Sequence, residues 1–522
     1  MNLFRLTPSF GVSFMIAGLA VAGEPRETAD LYQEHCAQCH HIDRLGAMGP
    51  ALLPENLERF PKKEAIAVIA KGRPATQMPG FDQKLSPDDI QSLVTFIYTP
   101  RSTPVSWNQA AIEASHVVHH DRTGLPGQPV HAADPMNLFM VVEAGDHHAT
   151  VLDGDRLEPI HRFPTRFALH GGIKYSPDGR FAILASRDGW ISQFDLFSLQ
   201  VTCEIRVGIN TRNVAVSGDG RYIMAANTLP NTLVVLDARD LSLVHMIPIV
   251  NDQGKSSRPS AVYTAAPRNT FIVALKDLPE IWEIPYNDKA RPVETAPTHD
   301  FQAASGEERP VAKGPFPIRR IVLESVLDDF FFDQNYDHLI GASRSGLSGQ
   351  VVNLNVGRGI ARIDIAGMPH LASGITWEYQ DTTVMASPNL KEGEITVVDL
   401  HTWKTIKRIK TLGPGFFLRS HEATPYAWAD VFLGPNKDSV HVIDKSTLEI
   451  VKTLRPAPGK TAAHVEFTKD GRHALLSIWE MDGALVVYDS GTLEEVKRIP
   501  MKKPVGKYNV FNKINRSSGT SH

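Results

Sequence analysis

The residues best suited to chemistry stand near the start of the chain, in the run Cys36-Ala37-Gln38-Cys39-His40. Two cysteines at this spacing, followed directly by histidine, are the attachment signature of c-type haem, in which the histidine ligates iron. A redox dithiol would be expected near a βαβ pattern, and half of a zinc site would need a second Cys/His pair nearby. The sequence has neither feature, so the motif predicts one covalent haem c held by Cys36, Cys39 and His40.

A second axial ligand for this haem is expected further along the chain. Met78 is the obvious candidate, because it stands in a loop too rich in proline to be helical, residues 73–80. A thioether ligand would raise the reduction potential of the haem. Met48 is the rival, but it follows His40 too soon to reach the opposite haem face easily. Alternatively, Met78 is only a packed loop residue, since methionine often fills cores.

Histidines in the later part of the chain form a second group of candidates. Each is interpreted as standing just ahead of a strand, and the four are His170, His370, His421 and His464. In a β-propeller, segments that enter the innermost strand face the central opening, so these side chains are predicted to converge on one ligand. Imidazole can ligate iron or transfer protons near neutral pH. For any one of them alone, a hydrogen-bonded loop residue is the ordinary interpretation.

Arginines near these histidines suit a ligand that bears several carboxylates, such as a tetrapyrrole. Arg187, Arg212 and Arg419 are the candidates, because guanidinium holds carboxylate in a bidentate fork. Taken alone, each is more readily interpreted as a surface charge. Cys203 stands in a predicted strand and is interpreted as a buried apolar residue.

The elements around the haem motif are predicted to be short helices. They cover Thr28 to Glu34, Lys63 to Lys71, and Pro87 to Tyr98, the last entered through Ser86. A small, mostly α-helical class I cytochrome c domain is therefore expected, ending near the linker Pro100 to Pro104.

From about Asn137 the chain consists of β-rich runs that repeat related phrases. Ser176-Pro177-Asp178-Gly179, Ser217-Gly218-Asp219-Gly220 and Thr468-Lys469-Asp470-Gly471 each precede two strands, the second of which ends near an aspartate. Weaker copies end at Asp153, Ile284, Asn355, Asp399 and Asp444. About eight units of roughly 40 to 50 residues predict an all-β eight-bladed propeller. A series of β-sandwiches is the alternative, which the regular period disfavours. Residues 292–317 are interpreted as an inserted loop.

Length, charge and targeting signals limit the possible functions. The 522 residues exceed one ordinary core, so a small domain followed by a repeat domain is expected. The net charge is -4 without any charged block, which makes nucleic acid an improbable partner by this criterion. Arg5, an apolar run and a small-residue triplet ending at Ala22 predict a cleaved export signal and a periplasmic mature protein without a membrane span.

These features give a prediction for the domain boundaries. We expect a signal peptide at residues 1–22, a cytochrome c domain at 23–103, a linker at 104–136 and the propeller at 137–515.

The combination of domains resembles the cytochrome cd1 nitrite reductases and, more closely, their relatives in haem d1 biosynthesis. In the propeller the likeness is carried by the stretch from His170 to Asp188, by Gly208 to Arg212 and by Tyr263. At the end of the chain it is carried by Phe467 to Trp479, 484–487 and 506–512. The resemblance implies that the propeller binds haem d1 or a precursor, with His170 as the proximal iron ligand. It also implies that Arg187, Arg212 and Tyr263 lie near the macrocycle.

Departures from the reductase pattern favour one branch of this superfamily. His370 matches one of the two distal histidines of the reductases, but the second is replaced by the run Leu327 to Phe331. The export signal also runs almost directly into the cytochrome domain. Both features fit the dihydro-haem d1 dehydrogenases, as do Arg44 to Gly46, 49–57 and 72–79.

The sequence therefore leaves three alternative functions. The first is a dehydrogenase that converts a propionate of dihydro-haem d1 into the acrylate of haem d1, with His421 as first choice for the base and His370 as second. Its partners would be a periplasmic electron acceptor, nitrite reductase and other haem d1 assembly proteins. The second is a nitrite reductase, and the third is a non-catalytic haem d1 carrier, against which the haem c motif argues.

Overall fold

The computed structural model describes residues 27–47, 49–58, 60–72, 78–103, 105–167, 169, 172–294, 311–343, 349–365 and 367–515. The predicted export signal, Met48, His170 and most of the predicted inserted loop lie outside these residues. No helix in the part of the chain covered by these ranges has the length and apolar character that crossing a bilayer requires.

Helices build the first domain, as predicted. They are α1 (Thr28–His35), α2 (Ala37–His40), α3 (Pro54–Leu57), α4 (Lys62–Lys71) and α5 (Pro87–Ile97), followed later in the chain by α6 (Gln109–Ala114) and α7 (Val510–Ile514).

The local sequence explains where α5 begins. The Ser86 hydroxyl accepts a hydrogen bond from the backbone N–H of Asp89 at 3.1 Å, and the Asp89 carboxylate accepts one from the backbone N–H of Ser86 at 3.0 Å. This reciprocal cap satisfies two N–H groups that the helix cannot satisfy itself. The buried face of α5, with Leu93 and Val94, then packs against Leu31 and Tyr32 of α1.

Strands form the second domain. In chain order they are β1 (Val117–Val118), β2 (Leu138–Glu143), β3 (His148–Asp153), β4 (Glu158–Pro164), β5 (Lys174–Tyr175), β6 (Phe181–Ala185), β7 (Trp190–Asp195), β8 (Gln200–Arg206), β9 (Asn210–Val216), β10 (Tyr222–Leu229), β11 (Asn231–Asp237), β12 (Leu243–Pro248), β13 (Pro259–Ala265), β14 (Thr270–Leu275), β15 (Glu280–Pro285), β16 (Arg319–Val322), β17 (Asp329–Phe332), β18 (His338–Ala342), β19 (Gly349–Asn353), β20 (Arg358–Ile363), β21 (Ile375–Tyr379), β22 (Thr382–Pro388), β23 (Glu394–Asp399), β24 (Thr405–Lys410), β25 (Leu418–Ser420), β26 (Tyr426–Asp430), β27 (Val440–Asp444), β28 (Glu449–Leu454), β29 (Ala462–Phe467), β30 (His473–Ile478), β31 (Gly483–Asp489), β32 (Glu495–Met501) and β33 (Pro504–Asn509).

These strands pair into eight antiparallel sheets, which confirms the eight-bladed propeller. Blade 1 contains β2, β3 and β4, blade 2 contains β5 to β8 with β1 on its outer edge, and each later group of four strands up to β32 forms one further blade. The innermost strands are β5, β9, β13, β17, β21, β25, β29 and β33. We call the end of the propeller where these strands begin the upper end, and the end where they finish the lower end.

The last strand closes the ring. β33 pairs with β2 as the innermost strand of blade 1, with Phe139 opposite Asn509 and Met140 opposite Tyr508. This pairing covers the edge of β2 that blade 1 would otherwise leave open, which would be a site for pairing with another chain.

The repeated Asp-Gly phrases are turns at the lower end, as predicted. In each, a hydroxyl pairs with the aspartate two residues on: Ser217 with Asp219 and Thr468 with Asp470, both at 2.7 Å. The glycine that follows has a positive φ, for example 71° at Gly471. The repeated aspartates have a local reason too, since Asp444 at the end of β27 accepts backbone N–H bonds from Ser446 and Thr447.

The predicted linker is folded against the propeller. Ile112 of α6 is fully buried in an apolar cluster shared by blades 2 and 3, and the Trp107 indole donates to the carbonyl of Arg206 at 2.9 Å. Cys203 is buried in the same cluster, at 2 % exposure, as expected for an apolar role.

The cytochrome domain sits on the upper end of the propeller. Ala51 and Leu53 pack against Ile209, which lies just before β9. The Arg206 guanidinium donates to the carbonyl of Leu45 at 2.9 Å. An ion pair of 2.7 Å joins Arg258 to Glu58. The residues between His40 and α4 therefore form the contact with the propeller.

Candidate functional site

The cysteine motif lies on one short helical turn with its histidine buried. His40 is 8 % exposed, and its Nδ1 lies 2.7 Å from the carbonyl oxygen of Pro50. Because a carbonyl only accepts, Nδ1 carries the hydrogen and Nε2 keeps its lone pair. Burial lowers the pKa of His40, which also favours the neutral, metal-binding form.

The surroundings of His40 suit a bound haem. A methyl group added to Gly49 would lie 2.6 Å from Cε1 of the imidazole, so this loop can approach the ring only as glycine. The Cys36 and Cys39 thiols form no disulfide. Met78 is half-buried and packs against the apolar cluster that also includes Cys36 and Ala37. These residues fit the donor set of a c-type haem, and Met78 as axial ligand stays a prediction.

A cavity of about 430 Å³ lies between the two domains, and we call it the upper cavity. Its roof is formed by Glu55, Asn56 and Glu58 of the cytochrome domain. Its walls carry basic side chains at the upper ends of the blades, together with acidic residues and one histidine: Arg187, Arg212, Arg258, Lys276, Asp328, Asp329 and His370. Such a mixture of convergent polar groups in a cleft is typical of a ligand site.

His370 is poised to accept a proton. It precedes β21, and its Nδ1 lies 2.7 Å from the carbonyl oxygen of Phe416, so Nδ1 carries the hydrogen and Nε2 the lone pair. Its ring lies 4.1 Å from that of Phe416. Burial lowers the pKa of His370, which keeps the imidazole neutral near pH 7.

Arg212 and Tyr263 lie near each other on the inner strands of neighbouring blades. Arg212 donates through Nε to the carbonyl of Ser260 at 2.7 Å. Tyr263 packs edge-on against Phe330 at 4.8 Å, and burial, together with the Asp329 charge, raises its pKa. The Lys174 ammonium lies 5.7 Å from the centre of the Tyr263 ring. Tyr263 lines a second cavity of about 260 Å³, in the central channel of the propeller toward its lower end.

His421 is not in the predicted position. It follows β25 instead of preceding it, and it lies at the lower end, where a methyl group on Gly471 would come within 2.3 Å of its Nδ1. Its backbone carbonyl accepts a hydrogen bond from Lys445, another residue of the lower end. The expectation that His421 stands beside His370 at the head of a blade was therefore wrong.

His464 differs from its predicted place by a few residues. It lies within β29 as a bulged residue with φ of 59°, between Ala463 and Val465. Its ring contacts Phe417 at 4.6 Å and Tyr508 at 5.3 Å. His464 is therefore a buried residue of the channel wall, and its role toward a ligand stays a prediction.

The two remaining predicted arginines lie at different depths. Arg187 follows β6 and lines the upper cavity. Arg419 lies in β25 on the channel wall, at 5 % exposure. The structure thus brings Arg187, Arg212 and His370 together at the upper cavity, and the charge of Arg419 also acts on His370. His170, the expected iron ligand, lies outside the described residues.

The segment that replaces the second reductase histidine supplies carboxylates. Leu327 is fully buried, and Asp328 and Asp329 line the upper cavity. Asp329 accepts a hydrogen bond from the backbone N–H of Ala372 at 2.9 Å. At this wall, the described residues therefore present acidic groups, as the missing histidine in the run Leu327 to Phe331 led us to expect.

The sequence did not lead us to predict several residues that line the two cavities: Asn56, Arg258, Lys276, Lys174 and Lys513. A partial signal existed for Lys276, since it directly follows the apolar strand β14, where a polar residue is conspicuous. Asn56 gave no signal, because its function as part of a roof depends on how the two domains dock.

Comparisons with known proteins match both domains. The cytochrome D1 heme domain family matches residues 133–304 and 312–513. The family described as cytochrome C oxidase, cbb3-type, subunit III matches residues 23–97.

Similar individual proteins extend over almost the whole chain. The dihydro-heme d1 dehydrogenase of Pseudomonas aeruginosa is 52% identical over 98% of this chain and 99% of its own. A nitrite reductase of Stutzerimonas stutzeri is 23% identical over 97% of both chains. The solved structure of dihydro-heme d1 dehydrogenase NirN in complex with DHE superposes with a TM-score of 0.83 at 52% identity, over 93% of this chain and 99% of that one.

Proposed function

The chain belongs to the cytochrome d1 haem domain family and, within it, to the dihydro-heme d1 dehydrogenases, and we propose that it oxidises a propionate of dihydro-haem d1 to the acrylate of haem d1. Its membership gives it a role in haem d1 biosynthesis, with a cytochrome c domain as part of the same chain. The substrate is the tetrapyrrole itself.

The observation that carries this proposal is the composition of the upper cavity. His370, a neutral buried imidazole, shares the cavity with Arg187, Arg212 and Arg258, under a roof contributed by the cytochrome domain. A propionate-bearing macrocycle needs such arginines for its carboxylates, since they can bind them in bidentate fashion. The reaction needs a base, and its electrons need an acceptor nearby.

Of the two protons that this oxidation releases, His370 takes one and the second passes to the solvent. The –CH2–CH2– unit of the side chain becomes –CH=CH–, and two protons and two electrons leave. We assign His370 Nε2 as the base that takes the first proton, because its Nδ1–H is fixed on Phe416 and its lone pair is free to react. Haem c, attached at Cys36 and Cys39, accepts electrons one at a time when it is bound.

The two other functions receive less support. Nitrite reduction requires protons delivered to bound nitrite, and Asp328 and Asp329 occupy the wall where a second histidine is expected. A carrier would have no use for Cys36, Cys39 and a histidine held ready for iron.

The same proposal includes the cell compartment and the partners. We propose that the mature protein acts in the periplasm, where c-type haem is attached, and passes its electrons to a periplasmic acceptor. Nitrite reductase, which uses the product, and other haem d1 assembly proteins are the expected partners.

A direct test uses the purified holoprotein without oxygen. Dihydro-haem d1 is added with an external electron acceptor, and the absorption of haem d1 is followed. We expect substrate to be consumed and product to appear in equal amounts. Rapid nitrite turnover with a reduced donor, and an unchanged precursor, would instead establish the reductase function.

A further inference from the structure

The upper cavity is covered by a separate domain. Its roof consists of Glu55, Asn56 and Glu58 of the cytochrome domain, whereas its walls belong to the propeller, and its volume is about 430 Å³. Pockets for drug-sized ligands usually have about 300 to 1,000 Å³. A tetrapyrrole with its side chains is larger than such a ligand. The macrocycle therefore needs an opening movement of the roof before it can enter this cavity.

Helix α7 packs against the lower end of the channel in the described part of the chain. Its Asn512 donates hydrogen bonds to the carboxylate of Glu466 at 3.0 Å and to the carbonyl of Phe467 at 2.8 Å. Val510 of the same helix is fully buried in the apolar cluster of blades 1 and 2. These contacts anchor α7 within the propeller, so we expect the macrocycle to enter at the upper end, under the cytochrome domain.

One group of contacts between the two domains lies over blades 2 and 3. There Ala51 and Leu53 pack against Ile209, and the Arg206 guanidinium donates to the carbonyl of Leu45 at 2.9 Å. Domains of one chain commonly move relative to each other unless a large apolar interface joins them. The apolar cluster at this contact buries only three residues of the described chain, so it permits rotation of the cytochrome domain.

The connection between the two domains lies on the same side as this apolar contact. On one side of the connection, Arg101 is fixed to the cytochrome domain, because it donates to the carbonyl of Asp43 and pairs with its carboxylate at 3.2 Å. On the other side, the Trp107 indole donates to a carbonyl of the propeller. Residues 102–103 and Ser106 lie between these anchors, are exposed and belong to no helix or strand. They are placed to absorb a rotation of one domain against the other.

A second group of contacts lies away from this hinge, at blade 4. Arg258 Nη1 donates to the Glu58 carboxylate at 2.7 Å, while Nε and Nη2 donate to Asp277 at 2.8 and 2.6 Å. Because Asp277 holds the other side of the guanidinium, Arg258 keeps a partner when Glu58 leaves. The Glu58 side chain is 61% exposed and returns to water. Exposed ion pairs contribute little to stability, so this contact can open and close readily.

Asn56 is the polar side chain of the roof that has no partner in the described structure. It lines the upper cavity between Glu55 and Glu58, and its Oδ1 is buried without a hydrogen bond to any described residue. Buried polar atoms are normally satisfied, and a side-chain amide can donate or accept. A ligand beneath the roof would provide the partner that the protein does not.

We propose that the cytochrome domain is a lid over the upper cavity, with the Glu58–Arg258 ion pair as its latch. Release of the latch lets the lid turn away and admit the tetrapyrrole, and closure brings the Asn56 amide into hydrogen-bonding contact with the ligand. This inference rests on the proposed function, because it takes the tetrapyrrole as the ligand. Glu58 then controls how fast the ligand enters and leaves, whereas Asn56 holds the ligand once the lid has closed.

The test of the latch measures rates of binding separately from turnover. The holoprotein, with haem c kept reduced so that the ligand is not oxidised, is mixed with dihydro-haem d1 without oxygen. The absorption change gives the rate constants of association and dissociation. In Glu58→Gln both should rise about 2- to 5-fold, as expected for loss of an exposed ion pair. Kd should change little, because the latch forms in the closed lid with and without ligand.

The matched control for the latch is Glu55→Gln. It removes the same charge from the same roof, but Glu55 is not the partner of Arg258. Any effect of roof charge on an anionic ligand is therefore common to Glu55→Gln and Glu58→Gln, and the difference between their rate constants reports the latch. Intact haem c absorption and a Tm close to wild type check the fold of each variant.

The contact of Asn56 with the ligand has a different kinetic signature. Asn56→Ala should leave the association rate constant near wild type and raise the dissociation rate constant about 5-fold, because the hydrogen bond forms only after closure. Gln91→Ala, which truncates an exposed amide of the same domain, is the control and should leave both rate constants unchanged.

The outcomes separate this inference from the proposed function. Equal association rate constants in Glu58→Gln and Glu55→Gln overturn the inference, and so does wild-type dissociation from Asn56→Ala. If the variants show the expected rate changes but the wild type with oxidised haem c never converts the bound macrocycle, the lid is supported and the proposed function alone is refuted.

Discussion

Histidines with the same chemistry have different uses in this protein because each lies at a different end of its blade. His370 precedes its innermost strand and reaches the upper cavity, whereas His421 follows one and lies beside Gly471 at the lower end. Nδ1 of His40 donates a hydrogen bond to the carbonyl of Pro50, and Nδ1 of His370 donates one to the carbonyl of Phe416. In both cases a carbonyl fixes the tautomer, which leaves Nε2 to ligate iron or accept a proton.

Replacing the proposed base tests this distinction. Positioned bases contribute about 10²- to 10⁴-fold, so His370→Ala should lower the rate of haem d1 formation by that factor with little change in substrate binding. His421→Ala is the matched control and should retain most of the activity. If His421→Ala is the slower variant, the base is at the lower end and our assignment is wrong.

The pH dependence should follow from the same residue. Burial lowers the pKa of His370, so the imidazole stays neutral and active as the pH falls through the ordinary histidine range near 6.5. Activity should therefore decline only at more acidic pH, and this acidic limb should be absent in His370→Ala. A decline centred above the ordinary histidine value would contradict the assignment.

His170 gives a spectroscopic prediction. The resemblance to the haem d1 proteins implies that it ligates the iron of the bound tetrapyrrole, so His170→Ala should lose the absorption signature of the ligated macrocycle. The haem c bands should persist, because Cys36, Cys39 and His40 belong to the other domain. Identical spectra on reconstitution of the variant and the wild type would place the ligand elsewhere.

At the scale of helices and strands, helix caps, turns and the closing strand determine how the local sequence builds the architecture. The reciprocal cap of Ser86 and Asp89 fixes where α5 begins, and the Asp-Gly turns fix where the first two strands of several blades meet. Closure is different, because β33 is separated by most of the chain from its partner β2. It also carries Lys507 and Tyr508, so closing the ring completes the channel wall.

Removal of β33 should therefore affect more than one blade. A chain truncated after Lys503 leaves β2 and the blade 8 interface exposed, and we expect aggregation or loss of cooperative unfolding in circular dichroism melts. Truncation after Asn515, which retains β33 and α7, is the control and should melt like the full chain. A cooperative melt near the wild-type Tm in the shorter chain would show that closure is dispensable.

At the scale of the whole molecule, the docking of two domains creates the site. The upper cavity takes its roof from the cytochrome domain and its walls from the propeller, and Arg258 joins them through Glu58. The segment from His40 through Pro50 to α3 both holds the haem ligand and covers the cavity. In the function that we propose, substrate and haem c would lie on two sides of this short stretch of chain.

Processing of the whole chain can be checked by mass spectrometry. The mature protein from the periplasm should lack the first 22 residues of the 522 and carry the mass of one haem. A Cys39→Ser variant, which removes one thioether, serves as the comparison. Free thiols at both Cys36 and Cys39 in the mature protein would refute covalent haem attachment.

The sequence by itself determined those features that depend on a few neighbouring residues. The haem motif, the helices around it, the Asp-Gly turns and the eightfold repeat were all predicted, because caps, turns and attachment chemistry act over short spans of chain. Arg187 was correctly placed after a strand, whereas Arg212, expected just before a blade, lies near the start of β9, and both side chains line the upper cavity.

Tertiary structure alone decided which side chains meet. β25 has only three residues, Leu418–Ser420, so no alternating pattern reveals it, and His421 was assigned to the wrong end of its blade. Lys174, Arg419 and Lys513 are far apart in sequence and become neighbours only when β33 closes the ring and α7 packs beneath it. Their convergence depends on long-range pairing, which residue types and spacing do not encode locally.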